Sequence, residues 1–386
     1  MRSVELFAGA GGLAMGLSRA GFQHDAVIEL DPHACKTLLA NRRSNCKWPI
    51  YPCDVREFDY SSASRRIVLL AGGVPCQPFS IAGKHRGHRD ERNLFPEFTR
   101  AVRELKPRAI LVENVKGLLR PTFANYFSYV EMMLRYPELT LKAGEEWTSH
   151  LSRLERYHTS GRKDGLTYNV VHQLVNAANF GVPQKRERVF IVGIRSDLGI
   201  QFSFPRFTHS QDSLLYSQYC SEEYWDTYKV PRSKRPAPEP ELRHKIQQLK
   251  QSLFAAALPR WQTVRDAMSG LPVPSPVRTA DEPNLTHFLV PGARQYPGHT
   301  GSPLDQPAKT LKAGDHGVPG GENMVALADG AVRYFTVRES ARLQTFPDNF
   351  IFDCSWTESM RQIGNAVPVR LAQRIGEKLY KTLQTC

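Results

Sequence analysis

No two of the seven cysteines (Cys35, Cys46, Cys53, Cys76, Cys220, Cys354 and Cys386) stand in a C-x-x-C spacing, and their number is odd. Neither a disulfide framework nor a zinc knuckle is indicated, and no metal is expected. No apolar run is long enough to cross a bilayer. The start, MRSVELFAGAGG, lacks the cationic stretch and unbroken apolar core of a secretion signal. A cytoplasmic chain with no membrane partner is the expectation. Internal repeats are missing, as are a Walker lysine and a spaced G-x-G-x-x-G. Acidic residues are in deficit, leaving a net charge of +13 over 386 residues. Such an excess suits a polyanionic partner, above all nucleic acid. A basic enzyme without such a partner is the plainer reading.

What is present begins with alternating strand and helix signals over the first two hundred residues. RSVELF, AVIEL, RRIVLLAG, RAILVENV and VFIVGIR read as buried strands. Between them lie helix signals: Gly21 closes one helix, and Asp31-Pro32 opens the next as N-cap and first helical residue. This pattern predicts an α/β fold with a parallel sheet covered by helices on both faces. After Arg195 periodicity weakens and Pro, Gly and aromatic residues are frequent, as in a loop-rich second domain. One helix is expected within ELRHKIQQLKQSLFAAAL. Periodicity returns near Tyr334: Thr336 and Glu339 have capping-box spacing, and VRLAQRIGEKLYKTL is amphipathic. The predicted boundaries are 1–195, 196–332 and a C-terminal segment 333–386 that returns to the first domain.

Four stretches can carry chemistry. Phe7-Ala8-Gly9-Ala10-Gly11-Gly12 is a glycine-rich turn between strand and helix, where a ligand can approach the backbone closely. Glu29 ends the next strand and could accept bonds from ribose hydroxyls. Asp54 follows a third apolar stretch and could receive an adenine amino group. Together they suggest an adenosine-containing cofactor; singly, each acid reads as a solvated loop carboxylate. Cys76 follows Gly72, Gly73 and Pro75 at the carboxyl end of a strand, where open sheets place ligands. Behind it, Lys84, His85, Arg86, His88, Arg89 and Arg92 form a cationic surround suited to phosphates. A lone cysteine is ordinarily structural, but this setting favours a nucleophile. Glu113 ends another strand and should project from the same edge, protonated by apolar surroundings. Arg186 and Arg188 on an extended segment should send both guanidiniums to one face. The plainer readings are an ion-paired surface glutamate for the first and a solvated charge run for the two arginines.

The motifs ELFAGAGG, VIELD, CDV, GGVPCQPFS, ENV, QKRERVF, RESARLQTFPDNF and QIGNAVP occur in one order. In this the chain resembles the bacterial DNA (cytosine-5) methyltransferases, over roughly 1–195 and 334–384. The resemblance implies a Rossmann-like S-adenosylmethionine-dependent methyltransferase sheet plus a smaller, loop-rich target-recognition domain. It implies S-adenosyl-L-methionine as cofactor and S-adenosyl-L-homocysteine as product. Phe7, Ala8, Gly9, Gly11 and Gly12 would line the cofactor pocket, Glu29 would hold the ribose, Leu30 would pack on the adenine and Asp54 would read its amino group. Pro75-Cys76 would be the nucleophile motif. Glu113 would face cytosine N3 and Arg188 the carbonyl oxygen. Arg186 would help to hold the nucleophile region and the substrate. Asn365 would brace the domain junction, while Ala366 completes the cofactor pocket. Gln77, Ser80, Lys84, Arg86, Arg89 and Arg92 would contact DNA as the segment closes over a flipped cytosine.

The chemistry implied is addition of the Cys76 thiolate to cytosine C6, which makes C5 nucleophilic toward an electrophilic methyl group. The base must leave the duplex for this to happen. The expected partner is double-stranded DNA, with a cognate restriction endonuclease in the same cell, and the expected state is a monomer. One departure from the family pattern is the long segment 119–166, which has no assigned role. Two rivals remain: an RNA (tRNA) cytosine methyltransferase on the same framework, and a catalytically silent DNA-binding relative. The first lacks its Cys-Phe-Thr signature here. The second conflicts with an intact Cys76, Glu113, Arg186 and Arg188.

Overall fold

The computed structural model describes all residues except 63–65, 76–92, 163, 253–255, 277–285, 298, 314–322, 328 and 386. Seven strands form one sheet: β1 (Arg2–Leu6), β2 (Gln23–Glu29), β3 (Ile50–Pro52), β4 (Leu69–Gly72), β5 (Ala109–Val115), β6 (Tyr168–Asn176) and β7 (Glu187–Arg195). Their order is β3-β2-β1-β4-β5-β7-β6. The order reverses between β1 and β4, so a crevice opens at their carboxyl ends. Pairing from β3 to β5 is parallel, as the strand–helix alternation predicts. β7 departs from the wholly parallel expectation and runs antiparallel to β5, with Ala109 opposite Ile194 and Val115 opposite Arg188. Only residues 177–186 separate β6 from β7, too few for the crossover that parallel neighbours need. The reversal brings the start of β7 to the carboxyl end of β5.

Alternation along β1 sets the layers. Val4 and Leu6 join an apolar cluster with helices α3 (Phe95–Leu105), α4 (Ala124–Arg135) and α5 (Trp147–Thr159), through Phe95, Phe98, Val130, Met133, Leu151 and Leu154. Ser3 and Glu5 point the other way, toward α1 (Gly12–Arg19). There the His24 ring lies between Ser3 Oγ (3.1 Å) and the Ala14 carbonyl (2.8 Å). Burial drives the His24 pKa down to about 4, so the ring is neutral at physiological pH. α2 (Pro32–Ala40) starts as predicted, with Asp31 accepting from the Ala34 amide at 2.8 Å. The C-terminal helix Val369–Gln384 covers this face of the sheet from Ala372 on. Tyr380 meets Phe22 edge to face, and Gly376 lets the helix approach Leu17 and Ala20.

Contacts divide the chain into two compact units. One holds Met1–Val175, Glu187–Pro205 and Ala372–Cys386; the other holds Asn176–Arg186 and Arg206–Leu371. The second unit is loop-rich, as the sequence suggests. It has a three-stranded sheet (Ser302–Pro303, Met324–Ala326, Val332–Tyr334), short helices and a small core of Leu214, Tyr224, Trp225 and Trp261. Arginines stitch its loops together: Arg260 to Asp266, Arg265 to Asp305 and Arg333 to Glu339. Its boundaries differ from 195/196 and 332/333 for a physical reason. Lys185 N–H donates to the Ala308 carbonyl, and buried side chains tie residues 184–186 to segments as far along as Ala366. The predicted capping box is present, with Thr336 capping Val337–Leu343. The helix expected within residues 241–258 spans Arg243–Gln251. Among the described residues no helix is long and apolar enough to cross a membrane.

Glu5 has a measurable consequence. Its side chain is almost wholly buried, and neither carboxylate oxygen has a hydrogen-bond partner among the described residues. Burial raises its pKa well above the carboxylate range; the Ala14 backbone opposes this and the Glu29 charge adds to it. The unfolded chain ionises Glu5 above about pH 4.3, whereas the folded chain does so only at higher pH. Glu5 therefore favours the fold fully below that pH and progressively less as pH rises toward the folded value. Glu5→Gln removes this slope. Thermal melts should show little difference from wild type near pH 4 and a higher Tm for the variant at pH 8. A constant difference across that range would refute the assignment.

Candidate active site

The carboxyl ends of β1 to β3 meet around a carboxylate. Phe7 leaves β1 with φ 58°, Gly9 has φ 54° and Gly11 φ 81°. A non-glycine residue in that region costs on the order of 1–3 kcal/mol and marks a turn held by its surroundings. The turn closes through Gly11 N–H to the Ala8 carbonyl (2.9 Å) and Ala8 N–H to the Ile28 carbonyl (3.2 Å). A Cβ at Gly11 would lie 2.8 Å from Leu38 Cδ2, whereas one at Gly9 would meet open space. Glu29 ends β2 and accepts three amides: Gly9 at 2.6 Å, Leu30 at 2.9 Å and Asp31 at 2.8 Å. Burial raises its pKa, and those amides pull it back. Leu30 follows, 62 % exposed despite its apolar side chain. Asp54, beyond β3, accepts the Arg56 amide at 2.9 Å and pairs with the Arg56 guanidinium at 3.3 Å.

A second group gathers where β4, β5 and β7 end or begin. Gly72 has no room for a side chain, since a Cβ would lie 2.8 Å from the Leu6 carbonyl. A Cβ at Gly73 would sit 3.5 Å from Glu113 Oε2. Buried Asn114 donates to the Val74 carbonyl at 3.0 Å and fixes the chain entering Pro75, which is half-buried. Glu113 faces Phe190 in the ladder, and Arg188 is two residues from that position on the same face. The Arg188 Nε stands 3.0 Å from Glu113 Oε1, with both side chains largely buried. Burial lowers the Arg188 pKa, and Glu113 opposes the fall. The partner of Glu113 is thus a cation, not the apolar wall expected. Cys76, Gln77, Ser80, Lys84, Arg86, Arg89 and Arg92 lie outside the described residues.

The two arginines of the R-x-R pair do not share a face. Arg186 precedes β7 and is completely buried. Its guanidinium donates to the carbonyls of Leu311 (3.1 Å), Gly364 (2.6 Å) and Ala366 (3.0 Å). Gln184 and Gln344 extend this network: they bond each other at 3.2 Å, and Gln344 reaches the Ile363 and Ala366 carbonyls. Asn365 therefore sits on a fixed turn, exposed, beside buried Ala366. Gly364 is required there, because a Cβ would lie 2.4 Å from the Ala313 amide. Sequence reasoning missed Gln184, Gln344 and Asn114 as positioning groups. Both glutamines lie inside recognised motifs, but their partners come from distant segments.

Segment 119–166 folds as α4 and α5. Trp147 packs against Tyr126 and Tyr129, while His150 bonds the Tyr129 hydroxyl (2.9 Å) and the Leu139 carbonyl (2.7 Å). Among the described residues no cluster of His, Cys, Asp or Glu could hold a metal ion.

The family model for C-5 cytosine-specific DNA methylases matches residues 1–135 and 154–381, leaving out the start of α5 and the loop before it. The chain is 32% identical to the Type II methyltransferase M.PspPI of Psychrobacter sp. (strain TA137) over 98% of its own length and 79% of that protein. It is 32% identical to the Type II methyltransferase M.NgoMIV of Neisseria gonorrhoeae, over 99% and 98%. The Dnmt2 methyltransferase structure from S. pombe superposes with a TM-score of 0.55 over 100% of this chain and 99% of that one, at 16% identity, a likeness of fold alone. With the family model matched along nearly the whole chain, this protein belongs to the C-5 cytosine-specific DNA methylases and is a DNA cytosine-5 methyltransferase.

Proposed function

We propose that the chain is the modification enzyme of a restriction–modification system, acting as a monomer on duplex DNA beside a cognate endonuclease. The observation that carries the site assignment is the buried Glu113–Arg188 pair, set against Gly73 at the carboxyl edge of the sheet. Cys76 is the nucleophile and adds to C6 of a flipped cytosine. Electron density then moves toward N3 and O2. Glu113 faces N3 and Arg188 faces O2, and fixed groups of this kind stabilise charge as it develops. Arg186 is a positioning residue for the turn at Asn365. The segment from Gln77 to Arg92 holds the DNA backbone, and the second unit reads the target sequence.

The residues at the ends of β1 to β3 fit S-adenosyl-L-methionine. The space beside Gly9 admits a ligand against the backbone. Exposed Leu30 offers an apolar face for a purine ring. Glu29 spends three of its roughly four acceptor positions on amides and keeps capacity for a ribose hydroxyl. When bound, the cofactor supplies an electrophilic methyl group and leaves as S-adenosyl-L-homocysteine. Phe7, Ala8, Gly11 and Gly12 shape that pocket, and Asp54 takes the adenine amino group.

Cys76→Ala should lower methyl transfer to duplex DNA by on the order of 10⁴-fold or more, while DNA binding by gel shift changes little. A target containing 5-fluorocytosine should trap a covalent complex with wild type and none with Cys76→Ala, because fluorine cannot leave as the proton does. Label appearing in tRNA and not in duplex DNA would instead establish the RNA reading. Glu113→Gln and Arg188→Lys should each lower kcat by about 10²–10³-fold, with the KM for DNA moving much less. Equal losses in kcat and DNA affinity would place the pair in binding and not in catalysis.

A further inference from the structure

Arg100 lies on α3, far along the chain from Asp54, yet one of its terminal nitrogens reaches the Asp54 corner. One terminal nitrogen donates to the carbonyls of Val55 (2.7 Å) and Arg56 (3.3 Å), the two residues that follow Asp54. The remaining nitrogens bond Glu97 (Nε, 2.8 Å) and Glu104 (2.8 Å), one turn to either side on the same helix. The guanidinium centre stands 5.0 Å from the Tyr60 ring centroid. Tyr60 meets Phe58, and Phe58 meets Tyr51 of β3, edge to face in each case. The loop that begins at Asp54 is thus gripped at its carbonyls and at its aromatic end by a single planar cation. Two carboxylates at helical spacing hold that cation in place. The corner itself is a turn in which Asp54 accepts the Arg56 amide and Glu57 N–H donates to the Asp54 carbonyl at 3.0 Å. Moving Val55 and Arg56 would move the carboxylate.

We propose that Arg100 is a positioning residue for cofactor recognition: it fixes the Asp54 carboxylate where it can read the adenine amino group. The proposal rests on the assignment of Asp54 to that amino group. Arg100 acts through Asp54 and touches no reacting atom, so its signature is loss of discrimination and not only loss of affinity.

Calorimetric titration with S-adenosylhomocysteine and with its 6-oxo (inosine) analogue tests both points, using the full chain. Wild type should prefer the amino ligand by about 10- to 100-fold. Arg100→Met keeps the stem and removes every donor. It should bind S-adenosylhomocysteine about 10-fold more weakly and show a preference reduced to within about 3-fold. Arg100→Lys retains the charge and can serve one carbonyl, so it should fall between the two at an unchanged melting temperature. In turnover, the KM for the methyl donor should rise more than kcat falls. If Arg100→Met and Arg100→Lys weaken both ligands equally and keep the wild-type preference, Arg100 is merely structural and the proposal is overturned. If Asp54→Ala keeps the preference, or wild type has none, the Asp54 assignment falls and the proposal falls with it.

Discussion

A carboxylate and a guanidinium 3.0 Å apart, both largely withdrawn from water, set the terms for the rest of this molecule. A buried ion pair is a poor source of stability, because desolvation costs about as much as the attraction returns. Its value lies in placement. Glu113 and Arg188 can meet only because β7 reverses against β5, and β7 reverses because the link from β6 is short. At the neighbouring strand end Gly72 is necessary, since a Cβ there would press on the Leu6 carbonyl, while one at Gly73 would only touch the Glu113 carboxylate. Asn114 anchors the chain entering the nucleophile segment from the same strand end. One reversal of direction thus organises the substrate side of the site.

The corner at the ends of β1 to β3 follows another logic. Its acceptors sit on loops that would wander unless held from elsewhere. Glu29 is held by amides from its own turn and from the glycine-rich turn of the neighbouring strand. Asp54 is held by its own turn, which α3 in turn grips through Arg100. In both cases backbone groups orient the carboxylate, so the position survives change in most neighbouring side chains.

What could be read from the sequence was local. Asp31-Pro32 and Thr336 with Glu339 declare helix starts because each cap lies within one turn of its partner. β1, β2, β4 and β5 declare themselves by short apolar stretches such as AVI in β2, LLAG in β4 and AILV in β5. β6 was missed because it ends the sheet order, and its burial alternates only in part along Tyr168–Asn176. The direction of β7, the cation beside Glu113 and the separate fates of Arg186 and Arg188 all depend on segments far apart in the chain. A residue's type does not announce such partners. Glu29 and Asp54 were legible as acceptors at strand ends, but the groups that hold them were not.

Arg186 carries a consequence for which side chains around it can vary. Its acceptors are main-chain carbonyls at Leu311, Gly364 and Ala366, and those of the neighbouring Gln344 are likewise largely main-chain. A carbonyl is supplied by any amino acid. Side chains at Leu311, Ile363 and Ala366 can therefore change without removing an acceptor from this anchor. The chief exception is Gly364, where backbone packs on backbone. The anchor thus fixes the path of the main chain at these segments while leaving the choice of side chain there open.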